Sequence, residues 1–94
     1  MLVRMEKASR GDKVARAFAA VLRDVRLEKG LSQEKLALDS GYHRTYVSLL
    51  ERGRQNPSLR TVLALAAVLK VPAASLVEKT ERRMKGGSEP VRTL

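Results

Sequence analysis

Ninety-four residues without a single cysteine allow one small domain with one core, and they exclude a disulfide framework or a thiolate metal site. Nineteen Lys and Arg against ten Asp and Glu give a formal net charge of +9, which suits a polyanionic partner, with DNA phosphates the first candidate. No apolar run approaches the roughly 18–20 residues of a membrane span, and none follows the basic N-terminus as a signal peptide requires, so the expected compartment is the cytoplasm.

In chain order, residues 1–12 are mixed and charged, with Gly11 breaking the run, and read as a flexible basic N-terminus. Asp12 is placed to cap a first helix, in which Val14, Phe18, Val21, Leu22 and Val25 recur at three and four spacing. Gly30 ends that helix near Lys29. Next comes LSQEKLALDSGYHRTYVSLLE, Leu31 to Glu51. Ser32 is a good N-cap, Leu36 and Ala37 supply an inward face, and Gly41 stands where the helix must stop in a left-handed conformation. A third helix follows, with Val47 and Leu50 on its inner face. Arg52 to Pro57 is a polar, basic loop, and Ser58 caps a fourth helix whose inner face is Leu59, Val62, Leu65, Ala66 and Leu69. Pro72 fits the first turn of a fifth, with Leu76 and Val77 on its apolar side. The reading is all-α, five helices in one bundle over 13–84, with a disordered tail over 85–94, where the chain shows no periodicity.

Two short helices across a glycine turn form the unit whose second helix enters the major groove of DNA. At this point a family resemblance is specific. From Val21 to Leu76 the elements LRDVRLEKGLSQEKLA, the turn glycine, YVSLLERG and NPSLRTVLALAAVLKV resemble the Cro and phage-repressor type of helix-turn-helix domain, in order and spacing. The RTYVSLLER segment resembles controller proteins of restriction–modification systems. The resemblance implies a lambda-repressor-like bundle with bases read by Arg44, Thr45 and Leu49. It implies backbone or groove-edge contacts from Gln33, Tyr46, Ser48, Arg52 and Arg54, and an ion pair between Arg26 and Glu51. Lys35 departs from the family's Glu, so no full capping box forms with Ser32, and His43 is a weak N-cap for the recognition helix.

The chemistry at each position stands on its own terms. Arg44, at the exposed first turn, can donate two N–H bonds to guanine O6 and N7; Thr45 suits a base edge or a thymine methyl. Leu49 either meets a thymine methyl or tucks into the core. Tyr46 either bonds a phosphate through its hydroxyl or covers the helix pair with its ring. Ser32, Gln33, His43, Arg52, Arg54 and Gln55 join the expected backbone set, with Arg60 and Asn56 beside them. Protonated His43 would meet phosphate and favour binding at low pH; an exposed cap with no further role is the other reading.

One histidine, no cysteine and scattered carboxylates supply no nucleophile–base pair, no metal site and no cofactor site, and there is no phosphate-cradling glycine motif, so an enzyme is not expected. The expected function is a sequence-specific regulator that binds double-stranded DNA as a homodimer on a near-palindromic operator and controls its own operon. Leu63, Ala67 and Val68, with Leu76 and Val77 of the last helix, are the expected dimer surface. An antitoxin that binds a toxin and its own promoter is the alternative, and RNA polymerase is a further candidate partner.

Overall fold

The computed structural model describes the backbone of residues 4–86 and the side chains of 13–86. Five helices follow in order: α1 (Arg4–Glu28), α2 (Gln33–Ser40), α3 (Arg44–Glu51), α4 (Leu59–Leu69) and α5 (Ala73–Met84). No strand occurs among the described residues. α1 packs against α5 and α3, α2 against α3 and α4, and α4 against α5. The core gathers one or more side chains from every helix: Phe18, Leu22 and Val25 of α1, Leu36 of α2, Val47 and Leu50 of α3, Leu65 and Leu69 of α4, and Leu76 of α5.

Local chemistry explains most boundaries. Ser32 Oγ accepts the Lys35 backbone N–H at 2.9 Å, and Ser58 Oγ accepts that of Thr61 at 3.1 Å, each satisfying a donor the helix itself leaves open. Gly41 closes α2 at φ +83, a conformation that costs glycine nothing. Lys70 closes α4 at φ +58 with a side chain that pays for it in steric strain. Pro72 is the N-cap of α5, one position ahead of the first turn expected for it. Ser75 Oγ donates to its carbonyl at 2.8 Å.

Several expectations are corrected. α1 starts at Arg4 and runs through Gly11 and Asp12, where a flexible segment and a helix cap were expected. One glycine costs a helix only about 1 kcal/mol, and good helix formers stand on both sides of it. Residues 1–3 lie outside the described residues, as does the expected tail beyond Gly86; Lys85 and Gly86 form the turn after α5. Leu59, expected inside, is 71% exposed at the first position of α4, and Thr61 takes a buried place instead. Val14 is also exposed, while Ala15, Ala17 and Ala19 are buried. Leu76, expected at a dimer surface, is wholly buried in the core. Val77, expected on the apolar side of α5 and at the dimer surface, is exposed, as a surface position requires, whereas Thr80, not expected inside, is buried with its hydroxyl donating to the Leu76 carbonyl at 2.8 Å. Among the described residues no single helix is long and apolar enough to cross a membrane.

Candidate nucleic-acid interface

α3 has only eight residues, so its position depends on what grips its two ends. Val47 and Leu50 face the core. At the C-terminal end Glu51 is clamped. Arg26 donates from Nε to Glu51 Oε2 at 2.6 Å, from Nη2 to Oε1 at 2.9 Å, and from Nη1 to the Leu31 carbonyl at 2.8 Å. The two charges therefore meet fork to fork, with the Glu51 side chain only 3% exposed. Gln33 Nε2 donates to Glu51 Oε1 at 3.0 Å, which ties the start of α2 to the end of α3. The hydrogen bond to Glu51 raises the Arg26 guanidinium above its ordinary range, against the lowering effect of burial. Arg26, Gln33 and Glu51 thus form one lock across three helices. Gln33 spends one amide hydrogen here and has a second on the same nitrogen.

The other end of α3 is held by hydroxyls. Tyr42 and Tyr46 pack ring to ring, centroids 5.1 Å apart and tilted by 43°. Both hydroxyls converge on Thr61 Oγ1, at 3.0 and 3.3 Å, and Ser58 Oγ lies 3.0 Å from the same atom. A threonine hydroxyl donates once and accepts twice, so three of the four hydroxyl hydrogens are consumed and one is left on Tyr42, Tyr46 or Ser58. Tyr46 is therefore half-buried, its ring against the core and its oxygen turned to α4, where a phosphate contact was one of the expectations. Tyr42 and Thr61 were missed in the sequence. Their signals were the four-residue spacing of the two tyrosines across the helix start, and a threonine three positions after the Ser58 cap.

What remains outward on α3 is a narrow stripe. Arg44 and Thr45 are exposed, Ser48 and Leu49 half-buried, and Arg52 exposed at the C-cap. Leu49 thus keeps part of its surface toward solvent. His43 sits at the N-cap, exposed, with no side-chain cap bond, so the first N–H groups of α3 lack the acceptor that Asp or Ser would supply. Ser32, Arg54, Gln55, Asn56 and Arg60 are exposed around this stripe. Gly53 allows the loop to fold down on α1. Its φ is +70, and a Cβ there would stand 3.2 Å from Arg16 Cγ and 3.3 Å from Arg16 Cα. Among the described residues no three His, Asp or Glu side chains gather as a metal site.

Residues 22–76 match the helix-turn-helix family. The chain belongs to the helix-turn-helix family. This helix-turn-helix protein is 46% identical over 57 residues to an uncharacterised HTH-type transcriptional regulator, y4dJ, of Sinorhizobium fredii, covering 61% of this chain and 74% of that one. It is 41% identical over 64 residues to control protein C.BamHI of Bacillus amyloliquefaciens, covering 67% of this chain and 79% of that one. Among solved structures, the restriction–modification controller protein C.AhdI of Aeromonas hydrophila superposes with a TM-score of 0.64 at 45% identity, covering 66% of this chain and 94% of that one. In the helix-turn-helix frame, α2 and α3 are the paired helices and α3 is the one that presents an open face.

Proposed function

We propose that this helix-turn-helix protein is a sequence-specific regulator of transcription that binds double-stranded DNA as a homodimer on a near-palindromic operator. The observation that carries this reading is the α3 stripe. Arg44, Thr45, Ser48 and Leu49 form an outward face on a helix locked at one end by Arg26, Gln33 and Glu51 and braced near the other by the Thr61 hydroxyl cluster. A rigid helix whose polar face is left open is what direct readout of base edges needs. Arg52 and Arg54 at one end of α3, with Ser32 and Gln33 at the start of α2, supply donors for the phosphates on either side.

The dimer is assigned to α4 and α5. Leu59, Leu63 and Ala67 stand four residues apart on the exposed side of α4, and Val77 is exposed on α5; Leu63 and Val77 are 53% and 51% exposed. A two-fold contact through one such patch would pair two recognition helices. The similarity to C.BamHI and C.AhdI supports a controller that acts on its own operon. Selection of bound duplexes from a randomised pool tests the reading. The expected result is a two-fold-related consensus with half-sites about 34–36 Å apart, one helical turn. A pool that never enriches would overturn it, and a unique asymmetric site would overturn the homodimer alone.

A further inference from the structure

A charged surface outside the α3 stripe borders the same region. Arg16 and Arg23 of α1 are exposed and seven residues apart, about 10 Å along the helix axis. Both line a shallow groove with Arg52, over a floor that includes Ala19, Ala20 and Leu27. Arg16 itself lies ahead of the part of the chain that matches the family. Of the two carboxylates that line this groove, the side chain of Glu51 is buried and held by Arg26 and Gln33, while Asp24 is exposed and lies 3.9 Å from Arg83 of α5. Among the described residues, Arg16, Arg23 and Arg52 have no carboxylate in ion-pair reach. Gly53 sets the proximity, since the loop lies directly on the Arg16 backbone and side-chain stem. Arg52 in turn follows Thr45 by seven positions and Ser48 by four, so it shares their face of α3.

We propose that Arg16 and Arg23 form a second line of phosphate contacts, which continues from Arg52 along one DNA strand beyond the recognition helix. This rests on the DNA-binding reading above. Phosphates recur at every nucleotide along each strand, so two arginines on one side of α1, about 10 Å apart along its axis, can each reach a phosphate of the same strand. Arginine's planar fork suits phosphate oxygens, and three arginines line the groove against one exposed carboxylate, Asp24. An acidic peptide is the rival occupant. It would need a deep apolar pocket for an anchor side chain, and this floor offers two alanines and an open leucine.

The test is the salt dependence of binding by the full chain, on a selected operator and on random duplex, for wild type, Arg16→Gln, Arg23→Gln and Arg82→Gln. Arg16→Lys is added because the Arg16 stem packs under Gly53. Circular dichroism melting confirms that each variant is folded. The expected result is a log–log salt slope reduced by about 0.9 per lost contact, hence by about 1.8 for a homodimer that carries either α1 glutamine substitution in both copies, on both duplexes. The slope should be kept in Arg16→Lys and in Arg82→Gln, whose site lies on the α5 side paired with Glu78. A wild type without salt-dependent binding would overturn the DNA-binding reading itself. A normal wild-type slope left unchanged by Arg16→Gln and Arg23→Gln overturns this proposal alone and turns the groove over to a peptide. An equal loss in Arg82→Gln overturns it too, as an effect of net charge without a site.

Discussion

Glu51 holds α3 by accepting from Arg26 twice and from Gln33 once, with almost none of its side chain in water. A buried charge robbed of its partner is far costlier than an apolar pair in the same space. Glu51→Ala is therefore expected to destabilise the fold by about 3–5 kcal/mol. The double change Arg26→Met with Glu51→Leu should cost less than Glu51→Ala. Chemical denaturation of Glu51→Ala, of Arg26→Met and Glu51→Leu singly, and of that double variant measures this, and additive effects of the last pair would mean that the two residues are not coupled. Arg44 is the opposite kind of residue, exposed and without a carboxylate partner among the described residues. Arg44→Ala should leave stability within about 0.5 kcal/mol. It should flatten preference at one guanine of the operator by about 1–3 kcal/mol. Binding to operators carrying each base at each position checks it; an unaltered profile would remove Arg44 from the base-reading set.

At the scale of elements, each short helix survives by its ends. α2 has a serine cap and a left-handed glycine stop, and α4 has a serine cap but a left-handed lysine stop. Lys70 has φ +58, which a Cβ makes unfavourable by about 1–2 kcal/mol. Lys70→Gly relieves that strain and loses part of the gain to a freer unfolded chain. The net expectation is a stability rise of about 0.5–1 kcal/mol. Thermal unfolding gives the answer, and a lower midpoint would show that the lysine stem supplies packing that outweighs the strain. α3 lacks a side-chain cap at His43, and its stiffness comes from the hydroxyl cluster and the Glu51 lock.

At the scale of the molecule, five helices bury one core and leave an apolar stripe on α4 outside it. Leu59, Leu63 and Ala67 with Val77 have no cover among the described residues. Leu63→Glu together with Val77→Glu should give a folded monomer with operator affinity reduced in step, since one recognition helix alone reads half a site. Sedimentation and circular dichroism decide: a mutant still dimeric moves the contact elsewhere, and an unfolded one places these side chains in the core. Leu76 is left unchanged in that test because it is core, and its truncation would cost about 2–5 kcal/mol of stability with no bearing on the surface.

The sequence by itself determined whatever depends on neighbours along the chain. Apolar spacing marked Leu22, Val25, Val47, Leu50, Leu65 and Leu69 as inward, Ser32 and Ser58 as caps, and Gly41 as the stop between the paired helices. These follow from the 3.6-residue turn and from backbone donors that any helix start must satisfy. The tertiary structure decided what depends on distant segments. Periodicity alone did not settle that Leu59 and Leu76 trade places with expectation, one outside and one wholly buried, or that Thr61 and Thr80 lie inside, because helix ends and edges are buried only as far as another helix covers them. Nor did it show that Tyr46 turns to α4, since the hydroxyl it meets is fifteen residues away. The meeting of Arg26 with Glu51 rested on family resemblance until folding closed 25 residues of chain around it. The close approach of Gly53 to Arg16 had no local signal at all, because only packing brings a loop against a helix 37 positions earlier.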